Sequence, residues 1–197
     1  MNRRTFLVRS STLLAAGACP AVYGQSAYPD HPIRLVVPFP PGGSTDVLAR
    51  KFAMRLDAVL GQAVVVDNRG GANGAIGSQE VARAKPDGYV LIAATTGTHI
   101  IAAATTPNLA YDPVADFAPI SVLGSQPMAI LVNADFPPRS IQELVALLKA
   151  SPGKYAYASA GQGGLAHLTT ELFLKQAGLT ATLVPYRGGG PALQALV

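Results

Sequence analysis

The sequence predicts an α/β protein of two lobes, each a parallel sheet with its helices, facing one another across a cleft. Three observations carry this. Apolar, strand-like runs alternate with segments of helical periodicity. Glycine-rich turns stand where strands give way to helices. The turn Val37-Pro38-Phe39 followed by Gly42-Gly43 is matched by Val184-Pro185-Tyr186 followed by Gly188-Gly189, so both lobes present the same kind of turn.

Taken in order, residues 1–24 read as an export signal. Arg3, Arg4 and Arg9 precede the apolar segment Leu13 to Ala18, and Val22 and Gly24 are placed for cleavage before Gln25. Arg3-Arg4-Thr5-Phe6-Leu7 also fits a twin-arginine signal, so both the general and the folded-export routes stay open. The apolar segment is much shorter than the roughly 20 residues of a membrane-spanning helix. Export places the chain in the periplasm.

Residues 25–124 form the first lobe. A near-continuous apolar run over 33–38 predicts a strand buried on both faces. Residues 47–60 place Leu48, Phe52, Leu56, Val59 and Leu60 on one helical stripe. A strand over 63–66, the loop Arg69 to Gly74, a helix over 76–84 and a strand over 89–94 complete three strands separated by two helices. Right-handed crossovers and a parallel sheet follow. Residues 125–197 form the second lobe. Short strands are expected at 120–123, on the approach to it, and at 129–132. Ser140 is placed to cap a helix with the stripe Ile141, Leu144, Val145 and Leu148. Strands at 155–158 and 183–186 flank a helix over 165–176, and Pro191 opens a last helix. That helix stops at Ala195-Leu196-Val197 without a capping residue, which reads as a second lobe cut short.

Charge excludes some partners. The formal net charge is +4, but residues 1–24 hold three of the 15 basic residues and no acid, leaving a net of +1. Without a clustered basic face, nucleic acid is not an expected partner. The one cysteine, Cys19, lies in the export segment, which removes disulfides and cysteine–metal sites from the remainder. His31, His99 and His167 lack metal-ligand spacing, so neither a metal nor a cofactor is expected.

The glycine turns around Gly43, Gly74, Gly163 and Gly189 leave backbone N–H groups unpaired at helix starts, and the helix dipole there favours an anion. One loop donating two charge-assisted bonds supplies about 3–6 kcal/mol before binding costs. Micromolar affinity needs about 8 kcal/mol net, so both lobes must contribute. A triphosphate is disfavoured because Gly43 is followed by Ser44-Thr45-Asp46 rather than by lysine and a hydroxyl. Gly161-Gln162-Gly163-Gly164 fits a relaxed dinucleotide pattern, but Pro185-Tyr186-Arg187 stands where the partner acid belongs. Ser159-Ala160-Gly161 is similar to a nucleophile elbow, yet Tyr157 occupies the required glycine position, and no enzymatic role is expected. Asp46 either caps the helix it begins or grips a ligand amine.

The motifs Ile33 to Asp46, Val66 to Gly74, Lys85-Pro86-Asp87-Gly88-Tyr89, Tyr111-Asp112-Pro113, Ser159 to Gly163, His167-Leu168 and Val184 to Gly188 resemble the periplasmic substrate receptors of tripartite tricarboxylate transporters, the Bug-type receptors. The resemblance runs from about residue 28 to the end of the chain, in order. It implies a type II periplasmic binding fold, with two Rossmann-like lobes closing on a small organic carboxylate. It implies a monomer that delivers its ligand to integral-membrane permease subunits. Carried over by position, the ligand contacts are Phe39, Gly43, Ser44, Thr45, Asn73 and Gly74, with Thr96 and Thr98 from the third loop. From the second lobe come Ser159, Gly161, Gly163, His167 and Tyr186. Gly70 and Gly164 depart from the residues usual in the family, proline and serine. A carboxylate sensor for a membrane signalling partner would carry the same features, and a non-functional truncated receptor is the remaining alternative.

Overall fold

The computed structural model describes residues 28–197, so the predicted export signal lies outside the described residues. Residues from His31 to Val197 form one compact unit. It contains two parallel sheets.

In the first sheet β1 (Ile33–Val37) lies between β2 (Val64–Asn68) and β3 (Val90–Ile92), with Leu35 opposite Val66 on one side and Leu91 on the other. Its central position explains the unbroken apolar run: Ile33, Leu35, Val36 and Val37 are all nearly inaccessible. Ile33, Leu35 and Val37 share one face and pack with Ala49 and Ala53 of α1 (Ser44–Leu60). These two alanines, four residues apart, let the helix approach the strands closely. Phe52, Leu56 and Leu60 flank the contact as predicted, but Val59 is 79% exposed. The stripe is centred on the small residues, and Val59 falls beyond its edge. The helix α2 (Ala75–Ala82) packs on β1 and β3, with Gly77 and Ser78 buried.

After β3 the chain makes a π-helical turn, Gly97–Ile101, running into α3 (Ala102–Thr105), where residue pattern alone predicts a loop. The predicted strands at 120–123 and 129–132 do not form; both segments are without regular structure. Ile120, Val122, Ile130 and Leu131 are 81%, 86%, 56% and 61% exposed. β-branched composition favours a pleated surface only where a neighbouring strand accepts the ladder, and none lies beside these residues.

The second sheet pairs β4 (Ala156–Ser159) with β5 (Thr182–Pro185), in the register Ala156 to Thr182 and Ser159 to Pro185. This part of the chain also holds α4 (Ile141–Ala150), α5 (Leu165–Ala177) and α6 (Gly189–Leu196), the last packed on β4. Ser140 caps α4 as expected: its Oγ accepts from the Glu143 N–H at 3.2 Å, while Glu143 accepts from the Arg139 N–H. Leu148 and Leu174 are buried. Pro191 is the third residue of α6 rather than its first.

Candidate functional site

Five loops leave the C-terminal ends of the five strands, the place where open α/β sheets hold ligands. The first, Pro38 to Gly43, is braced from below. Asp46, 3% exposed, accepts from the Gly42 N–H at 3.0 Å and from Asn68 Nδ2 at 2.9 Å. Asn68 Nδ2 also donates to the Phe39 carbonyl at 3.0 Å, and Arg50 reaches both Asp46 and Asn68, at 3.0 and 2.9 Å. Burial opposes ionisation of Asp46, but the bonds from Arg50, Gly42 and Asn68 outweigh it and hold the carboxyl below its usual range. Asp46 therefore braces the turn, and its side chain caps no helical N–H. Asn68 and Arg50 do not stand out in the sequence. The one signal available was the i, i+4 spacing of Asp46 and Arg50.

The second loop packs on the first. A Cβ at Gly77 would lie 3.0 Å from Pro38 Cα, and one at Gly70 would lie 2.8 Å from Pro40 Cδ. Gly74 has φ +90, and a Cβ there would stand 2.5 Å from Thr98 Cγ2 and 3.1 Å from the Pro38 carbonyl. Only glycine fits that place. Gly74 is thus the point at which the first three loops meet.

The third loop is held by an aromatic cluster. Tyr111 is buried and donates from its hydroxyl to the Thr98 carbonyl at 2.5 Å. Phe117 stands edge-on to His99 with ring centroids 4.6 Å apart. Burial pushes the His99 pKa below its ordinary value. Thr98 is fully buried, and its hydroxyl is engaged by Thr95 and by His99 Nδ1. Thr96, by contrast, is exposed. This accounts for Tyr111-Asp112-Pro113: Tyr111 anchors the third loop, and Asp112 closes its own turn by accepting from the Val114 and Ala115 N–H groups.

From the second sheet, buried Ser159 donates to the Gly161 carbonyl at 3.0 Å. The Gly163 N–H donates to His167 Nδ1 at 2.9 Å. His167 is therefore bound to its own loop, and its ring is parallel to that of Tyr157. Tyr157 in turn donates to Glu171, and burial together with Glu171 pushes its pKa up. Tyr186 is half-buried, tied through its N–H to the Ser159 carbonyl at 2.8 Å.

The two sets of loops meet. The Asn73 amide donates to the Gln162 carbonyl, and Gly188 lies against Pro40. Of the predicted residues, Asn73, Gly161 and Gly163 meet at this junction; Gly43, Ser44 and Thr45 lie at the start of α1, Phe39 packs against the first core, Thr96 is exposed, and Tyr186 follows β5. Gly74, Thr98 and Ser159 are buried, and Ser159 and His167 are bonded within their own loop.

The helix starts here share one property. α1, α2, α5 and α6 begin after Gly43, Gly74, Gly164 and Gly188, and none has a side-chain cap, although α2 continues the 3₁₀ turn Ala72–Gly74 and its first N–H, at Ala75, already donates to the Ala72 carbonyl. Two of these positions lie one residue from the predicted Gly163 and Gly189. The helical ladders begin only at Val47 and Leu168, each 3.0 Å from a glycine carbonyl, and at Ala192. α4, whose start belongs to none of these loops, carries a side-chain cap from Ser140. Uncapped first turns leave N–H donors and the positive helix end for an anion. Among the described residues no group of three His, Cys, Asp or Glu side chains is arranged to hold a metal ion.

Two parallel sheets with glycine turns at the ends of their strands are the architecture of the periplasmic binding protein fold. The solved structures that this chain matches have that fold. MatC from Rhodopseudomonas palustris, solved with bound malate, matches at a TM-score of 0.78 and 37% identity, over 86% of this chain and 57% of that one. An R. palustris protein solved with adipate matches at 0.74 and 33%, over 86% of this chain and 56% of that one. Protein BugT of Bordetella pertussis is 38% identical over 98% of this chain and 60% of its own length. Residues 48–197 match the family described as the tripartite tricarboxylate transporter family receptor. The chain belongs to that family. It spans little more than half the length of the relatives it matches.

Proposed function

We propose that the protein is a periplasmic receptor. It captures a small organic carboxylate between the loops of its two sheets and passes it to the integral-membrane permease of a tripartite tricarboxylate transporter. The observation that carries this reading is the convergence of uncapped, glycine-started helices from both sheets on one junction. Family membership and relatives solved with malate and adipate support a carboxylate as the anion. In this reading Ser44, Thr45 and Thr96 supply hydroxyl and backbone donors, Phe39 and Tyr186 wall the ligand, and the loops of Gly43 and Gly163 approach it by backbone. Gly74, Thr98, Ser159 and His167 hold those loops in place. Asp46 does not repel the anion strongly, because Arg50 and Asn68 engage its charge. Residues 1–24 are removed on export.

Thermal denaturation with malate, succinate, adipate and citrate tests the reading. A ligand at one hundred times its Kd adds about 2.7 kcal/mol, which raises Tm by about 5–10 °C in a chain of this size. A melting curve unmoved by every member of the panel overturns it.

A further inference from the structure

Asn73 is placed in a way that the receptor role alone does not require. With φ 55 and ψ 31 it sits in the left-handed region, directly after Ala72 at φ 46. Two successive non-glycine residues in that region are strained and persist only where the surroundings enforce them. The surroundings here are rigid: Gly74 is wedged between Thr98 and Pro38. The strained backbone sends the Asn73 side chain to the second sheet's loop, where Nδ2 donates to the Gln162 carbonyl. The receiving loop is shaped to admit it. A Cβ at Gly161, φ +139, would overlap Asn73 Oδ1, and one at Gly164 would lie 3.6 Å from the same atom. That loop is also held at both ends, by Ser159 on the Gly161 carbonyl and by His167 on the Gly163 N–H.

We propose that Asn73 is a positioning residue. Its amide, seated in the slot of Gly161 and Gly164, straps the two sheets together and sets the width of the gap between their loops before any ligand arrives. The strap follows from this geometry; its consequence for a carboxylate rests on the receptor reading above. With the gap preset, a ligand does not bear the cost of bringing the loops together.

The test reads the spacing directly and without ligand. Spin labels at Lys51→Cys and Lys175→Cys, both exposed and one on each sheet's helices, report the separation in a Cys19→Ser background. The parent chain gives one narrow distance population. Asn73→Gly keeps the left-handed backbone and loses the strap, so a longer-distance population appears. Asn73→Asp sets a carboxylate oxygen against the Gln162 carbonyl and enlarges that population. Gly161→Ala, altered on the opposite loop, expels the amide and gives the same change. Malate affinity falls about tenfold in Asn73→Gly, the factor for one hydrogen bond of about 1.4 kcal/mol. Distances unchanged in both Asn73 variants overturn the proposal, as does a lowered Tm with no new distance population. Distance changes in the variants, together with a parent chain that responds to no carboxylate, uphold the strap and overturn the receptor reading instead.

Discussion

Asp46 is the residue on which the first turn depends, because its carboxylate receives the Gly42 N–H and the Asn68 amide while pairing with Arg50. Asp46→Ala leaves these donors unmatched in a largely buried site and costs about 2–4 kcal/mol, measurable by urea denaturation. Its pH dependence has a definite sign. The folded-state pKa lies below the unfolded value of about 3.9, so the stabilisation is complete above that pH and is lost as pH falls through the folded value. Asp46→Asn flattens this acid limb. His99 titrates in a different window. Burial depresses its folded pKa, so stability is highest above about pH 6.5 and declines as pH falls below it. His99→Phe removes that decline. Gly74→Ala meets both an unfavourable φ and Thr98 Cγ2, and loses about 1–3 kcal/mol in the same assay.

Elements differ in how far they rest on local signals. α4 carries its own start signal, Ser140 capping the Glu143 N–H, and forms where the sequence placed it. Ser140→Ala loses about 0.5–2 kcal/mol, whereas Leu35→Ala in the central strand loses about 2–5 kcal/mol, which chemical denaturation separates. α1, α2, α5 and α6 lack such caps, and their starts were still legible, because the glycine turn itself marks the change from strand to helix. Segments 120–123 and 129–132 were misread for a physical reason. Their composition is that of strands, but a strand is completed by its neighbour, and periodicity carries no knowledge of neighbours. The π-helical turn at Gly97–Ile101 was missed because it is organised from outside, by the Tyr111 hydroxyl on the Thr98 carbonyl.

For the molecule as a whole, burial is unequal between the sheets. β1 contributes four nearly inaccessible apolar residues, while β4 and β5 keep Ala156, Ala158, Thr182 and Val184 exposed. Amide hydrogen exchange is accordingly slowest at Leu35 and Val36 and faster in β4 and β5; equal protection in both sheets would contradict this ranking. The sequence by itself determined the alternation of strands and helices, the parallel sheets, the matched turns at Gly43 and Gly188, and the family, because these reside in residue type and spacing along the chain. Only the tertiary structure decided which loop residues are exposed and which are buried. Thr96 and Thr98 are two residues apart, yet one is exposed and the other fully buried, because Gly74 and Tyr111 close over the second. Asn73 and Gln162 meet across 89 positions of sequence. That meeting is set by how the loops pack, and packing between distant segments leaves no mark in local pattern.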